Sequence, residues 1–206
     1  MGNGGYKQAA GGHTPPVGQR LTAEFREPPA QFAGCFTTFY HLTLDLPEAD
    51  AVVTDYLQPE WANIRFFCGT APEAEIASHK VSGAPFVGTG PSTLPCRFTL
   101  GPVRMWGVGF LPLGWSRFFD ADASDCANVI CDGATHPAFG HFGAMTDVLC
   151  DPEATLDEQF QALVRASYEE LAGGIAASGR ITPVHGSHNS TWPLARKAHS
   201  VSFGAL

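Results

Sequence analysis

The stretch WANIRFFCG, Trp61 to Gly69, places an aromatic ring, an amide, a guanidinium and a second ring on alternate positions. In an extended chain alternate residues share a face. Trp61, Asn63, Arg65 and Phe67 therefore form one mixed row, and Ala62, Ile64, Phe66 and Cys68 form an apolar one. Such a mixed row can line a ligand cavity, its rings giving apolar contact while Asn63 and Arg65 orient a polar or anionic group. It can also be structural, an edge where Arg65 meets a carboxylate from a neighbouring strand. Trp106, in the later strand VRMWGVGF, is the further aromatic side chain expected at such a cavity. These five residues are the candidate ligand-binding set, for a small-molecule effector.

Other residues with chemical potential fall into weaker patterns. His136 and His141 are five apart, which on a helix separates them by about 140°. His185 and His188 have no Cys or carboxylate at ligand spacing beside them. No H-x-H pair occurs, and none of the histidines is expected to hold a metal. No G-x-S-x-G elbow is present, and Gly88-Thr89-Gly90 lacks the rest of a dinucleotide or Walker loop and reads as a turn. Asp120, Asp122, Glu169 and Glu170 sit where helix caps and solvated helix faces are expected. Asn189-Ser190-Thr191 matches a glycosylation acceptor, which has meaning only in a secreted protein. No catalytic residue and no cofactor is expected.

The six cysteines, at 35, 68, 96, 126, 131 and 150, include no CxxC pair, and the Gly-rich start lacks an apolar signal segment. They read as reduced thiols serving as small core hydrophobes, in a cytoplasmic protein. No apolar run reaches the roughly 20 residues that a membrane helix needs.

Extended segments flank the row on both sides in the sequence. CFTTFYHLTLDL alternates, with Phe36, Thr38, Tyr40, Leu42, Leu44 and Leu46 on one face and Cys35, Thr37, Phe39, His41, Thr43 and Asp45 on the other. A second strand lies in ADAVVTDYLQPEW and stops at Pro59. The segment from Gly83 to Phe110 supplies two or three short strands separated by turns. At Pro112 the period changes: Trp115, Phe118 and Phe119 stand at i, i+3, i+4. ADASDCANVICDG reads as a short second helix and GHFGAMTDVLC as a weaker third. The clearest helix runs from Thr155 to Gly173. Thr155 and Glu158 form its capping box, Leu156, Phe160, Leu163, Val164, Ser167 and Leu171 form its face, and Gly173-Gly174 is its expected stop. Strands precede helices, so the fold class is α+β.

Taken together, P-x-W-x-N-x-R-F at Pro59–Phe66, the G-V-x-F-x-P strand at Gly107–Pro112 and the acidic, Ala-rich segment after it resemble the N-terminal sensor region of AraC-type bacterial transcription regulators. The resemblance spans Leu21 to Gly174. It implies a cupin-like β-barrel or sandwich followed by a small helical subdomain used for dimer contact and signal relay. It also implies a ligand-sensing or regulatory role, the alternative being a stand-alone cupin-type enzyme. The Pro112 corner would join the two parts, with Gly114 allowing the turn and the three aromatic residues pinning the helix.

Residues 1–20 are then expected to be a flexible tail, 21–112 the sensor, 113–174 the helical subdomain and 175–206 an irregular tail. The helix-turn-helix units that follow in the family have no counterpart. A chain with twelve Lys and Arg against twenty Asp and Glu, at net charge -8, lacks the basic face that grips phosphates. Direct DNA binding by this chain is not expected. The apolar face of the Thr155–Gly173 helix is expected to bury either on the chain's own barrel or in a dimer contact, the partners then being a second copy or an intact regulator.

Overall fold

The structure, a computed structural model, describes residues 18–178 and the side chains of 18–170. The strands are β1 (Arg20–Arg26), β2 (Phe36–Asp45), β3 (Val53–Leu57), β4 (Asn63–Gly69), β5 (Glu73–Ile76), β6 (His79–Ser82), β7 (Phe86–Thr89), β8 (Cys96–Leu100), β9 (Val103–Phe110) and β10 (Ile130–Asp132). The helices are α1 (Pro112–Phe118), α2 (Met145–Leu149) and α3 (Leu156–Ser178). Pairing is antiparallel throughout, in a six-stranded sheet β1-β2-β9-β4-β7-β10 and a four-stranded sheet β3-β8-β5-β6. The α+β class expected from the order of periodicities is the one observed.

Both faces of the six-stranded sheet are covered, and this explains why its central strands are apolar at nearly every position. On one face Ile64, Phe66, Trp106, Val108 and Phe110 pack with Trp115, Phe118, Leu149, Leu163 and Val164 of the three helices. On the other, Tyr40, Leu42, Leu44, Phe67 and Met105 pack with Ile76, Val81, Phe98 and Leu100 of the second sheet. The layers are thus helices, central sheet, second sheet. The α3 face of Leu163, Val164 and Ser167 is buried on the chain's own sheet, as two-layer packing of an amphipathic helix requires. Among the described residues no helix is long and apolar enough to cross a membrane.

The corner at Pro112 has a clear physical basis. Pro112 occupies the first turn of α1, where its missing N–H has no intrahelical partner to lose. A Cβ at Gly114 would fall on the Cys35 carbonyl, so glycine is needed for the close approach of α1 to the start of β2. Trp115 and Phe119 stack at 4.3 Å, and the Trp115 indole N–H donates to the Ala121 carbonyl at 2.8 Å.

Several local expectations are corrected. The single alternation assigned to β2 breaks at a bulge: Phe36 pairs with Phe110 but Phe39 pairs with Val108. The extra residue turns Phe36 onto the same face as Phe39, their rings 4.9 Å apart, and away from Tyr40 and Leu42. The helix expected in ADASDCANVICDG is instead a series of turns leading into β10. Asn128 adopts a left-handed φ of 59° there, and its side-chain oxygen accepts from the Thr93 and Leu94 N–H groups. Ile130 then pairs with Thr89, so tertiary pairing overrides the local helical pattern. Consequently β10, drawn from the stretch assigned to the helical part, completes the central sheet. Gly88 and Thr89 belong to β7 rather than to a turn. Finally, α3 continues through Gly173-Gly174 to Ser178. Glycine costs a helix about 1 kcal/mol per residue and does not by itself end one. His185, His188, Asn189–Thr191 and the 179–206 tail lie outside the described residues, as do residues 1–17 of the N-terminal tail.

Candidate functional site

Three neighbouring strands build the polar centre of the molecule. Register places Tyr40 of β2 and Arg65 of β4 on either side of Gly107 of β9. A Cβ at position 107 would fall inside the Tyr40 ring, so the missing side chain is what lets the phenol lie across the central strand. The Tyr40 hydroxyl thereby reaches Arg65, whose Nε donates to it at 2.9 Å. One terminal guanidinium nitrogen of Arg65 donates to Thr89 Oγ1 at 3.4 Å, and the other donates to Glu60 Oε1 at 2.5 Å. The Asn63 amide lies 3.1 Å from the same Tyr40 hydroxyl, and with its nitrogen turned inward it also donates to the Val108 carbonyl at 3.1 Å.

Glu60 enters from the connection between β3 and β4 and is fixed through its backbone. Its N–H donates to Ser92 Oγ at 3.0 Å, and its carbonyl accepts from the Ser92 N–H at 2.9 Å. The Arg65 side chain is 8% exposed and that of Glu60 27%, so the cation is inside and its carboxylate reaches the rim. Burial works to lower the Arg65 pKa, but the Glu60 carboxylate and the Tyr40 hydroxyl outweigh it, and the guanidinium holds its proton more firmly than usual. Burial also raises the Tyr40 pKa; the Arg65 charge opposes that rise without cancelling it. The cluster therefore sets a phenol beside a paired, buried cation whose fork holds a carboxylate.

Of the five residues expected at a ligand site, Asn63, Arg65 and Phe67 share this face, with Phe67 farther along in the apolar part between the sheets. Trp61 precedes the paired part of β4 and is 52% exposed. Trp106 is on the opposite face, because it pairs with Phe66 and directly paired residues project to the same side. There its indole N–H donates to Gln159 Oε1 of α3 at 2.7 Å. The five do not form one site. The carboxylate anticipated for Arg65 comes from the loop just before its own strand and not from a neighbouring strand. Tyr40, Glu60 and Thr89 were not anticipated. The signal for Tyr40 was the pair of glycines in WGVGF, since glycine inside a strand marks a close approach.

The thiol expectation also needs correction. Cys68, near the end of β4, and Cys150, just after α2, form a disulfide with Cα atoms 5.0 Å apart across a separation of 82 residues. The other four cysteines are free, and three of them are buried. Elsewhere, α2 and α3 border an open cleft of about 450 Å³ lined by Val148, Asp151, Gln159 and Ala162 among others. Among the described residues no group of three or more His, Cys, Asp and Glu side chains converges as a metal-binding set. Compared with protein-family models and with curated proteins, the chain matches none, so the Arg65 cluster has to be interpreted from its own geometry.

Proposed function

We propose that the chain is a regulatory sensor domain of the AraC type, which takes up a small organic anion at the Arg65 end of its sandwich and signals through a protein partner. On this reading the two sheets are a cupin-like barrel. The helices beyond the Pro112 corner are the relay. The observation that carries the proposal is the Arg65–Glu60 pair: a buried cation whose only described carboxylate partner reaches the solvent-exposed rim. A carboxylate on a ligand has the charge and geometry to exchange with that of Glu60, while Tyr40, itself held by Asn63, positions the guanidinium and the exposed Trp61 covers the anion from the rim. Trp106 has no part in this site. Because the Leu163–Val164 face of α3 is already buried, a homodimer or mixed dimer would use another surface.

The test is thermal-shift titration of the full chain with a panel of small mono- and dicarboxylates and neutral sugars. Stabilisation by a carboxylate that is weakened in both Asn63→Ala and Trp61→Ala supports the assignment. Stabilisation by neutral sugars alone, or none at all, removes it. A gel shift on DNA flanking the gene, with and without a neighbouring regulator, tests the partner. A salt-sensitive, sequence-specific shift by the chain alone would overturn the expectation that it does not read DNA directly.

A further inference from the structure

The disulfide stands apart from the Arg65 cluster and is not used by it. Cys68 and Cys150 are both half-buried residues. The remaining thiols are poor competitors. Cys35, Cys96 and Cys126 are buried, and burial raises the thiol pKa at Cys96, at Cys126 and at Cys131, where it reaches about 12.

What the bond holds is specific. Cys150 follows α2 directly, and the next residue, Asp151, offers its carbonyl to Gln159 Nε2 at 3.1 Å. The same side-chain amide also reaches the Ala154 carbonyl at 3.4 Å and accepts from the buried Trp106. The sulfur bridge is thus the covalent end of a path from β4 through the α2–α3 connection and Gln159 to β9. Val148, Asp151, Gln159 and Ala162, which line the cleft, all lie on or beside that path. An isolated helix of five residues is far below the length that sustains itself, so α2 depends on what ties it down.

We propose that the Cys68–Cys150 bond is a redox-operated clamp on the α2–α3 connection. An external dithiol supplies two electrons and two protons; the S–S bond breaks, each sulfur becomes a thiol, and the reductant leaves as its own disulfide. Release frees α2 and residues 150–155 and widens the cleft, while the two sheets keep their packing. The proposal does not depend on the effector assignment, because none of the groups on this path belongs to the Arg65 cluster.

The experiment is hydrogen exchange on the full chain, oxidised and then reduced with dithiothreitol under native conditions, after thiols are counted in protein purified without reductant. The expected result is four free thiols before reduction and six after. Exchange over Met145–Ala162 should then rise by about tenfold or more, reversibly, with β4 and β9 unchanged. Cys150→Ser should show the fast exchange with or without dithiothreitol, and the wild-type comparison stands alone if that variant does not fold. Six thiols before reduction overturn the proposal. So does unchanged exchange over Met145–Ala162, or an equal rise across the whole sheet, which would make the bond a staple of the fold.

Discussion

Tyr40 and Arg65, on strands that flank β9, meet at 2.9 Å because Gly107 lies between them without a side chain. The contact ties β2 to β4 across β9 through polar atoms inside an otherwise apolar sandwich. It also makes the guanidinium, the phenol and the glycine mutually dependent, since moving any one leaves a buried polar atom of another without its partner.

Gly107→Ala tests that dependence directly. The added methyl has nowhere to go except into the Tyr40 ring, so the ring or the strand must shift. Overpacking of this kind costs about 2–3 kcal/mol. Urea unfolding monitored by circular dichroism should show the loss, and Tyr40→Leu in the same background should recover part of it. A Gly107→Ala protein as stable as the parent would mean that Tyr40 does not cross β9.

The Glu60–Arg65 pair predicts an asymmetry between single and double substitution. Glu60→Ala leaves a buried guanidinium without its counter-charge and should cost about 3 kcal/mol, the low end for a buried pair, because the carboxylate is partly wet. Replacing both partners, Glu60→Gln with Arg65→Met, removes the stranded charge and should be less damaging than Glu60→Ala alone. Chemical denaturation of the variants decides this. A double variant worse than the single one would show that the pair contributes more than its burial costs.

His41 gives the molecule a dependence on acid. Its ring is buried on the helix-facing side, 5.2 Å from Trp106, and burial holds its pKa below the ordinary value of 6.5. Glu24 on β1 acts to raise the pKa and Arg104 on β9 to lower it. The unfolded chain therefore takes up the proton first, and the stability due to neutral His41 is lost as pH falls from 6.5 toward the folded-state pKa. Between pH 7.5 and 5.5, wild type should lose more unfolding free energy than His41→Gln. Equal losses would remove His41 as the cause.

Two tryptophans expected from the sequence at one cavity should behave as opposites. Trp61→Ala, at a half-exposed position, should change stability by no more than about 0.5 kcal/mol while weakening the carboxylate binding proposed at Arg65. Trp106→Ala empties the core beneath α3 and leaves Gln159 without its donor, at a cost of about 3–5 kcal/mol. Thermal melts of the two variants separate them, and comparable losses would contradict the placement of Trp61.

Features that depend on near neighbours in the chain are legible in the residue order. Alternation in WANIRFFCG separates Ile64 and Phe66 from Arg65 and Phe67, and the structure keeps that separation. The Thr155–Glu158 box, legible from a three-residue spacing, forms with the Thr155 N–H donating to the Glu158 carboxylate at 2.8 Å. The Pro112 corner follows from proline chemistry and a change of period. Only the tertiary structure decided which rows meet. Tyr40 reaches Arg65 across 25 residues and a third strand, and Cys68 finds Cys150 across 82. Trp106 is separated from Arg65 by a register that sets it opposite Phe66. The bulge in β2 and the strand at Ile130 likewise answer to partners far along the chain. The reason is physical: local pattern fixes the side on which a residue projects. Its neighbours on that side depend on strand order and register, which are chosen by the burial of the whole sheet.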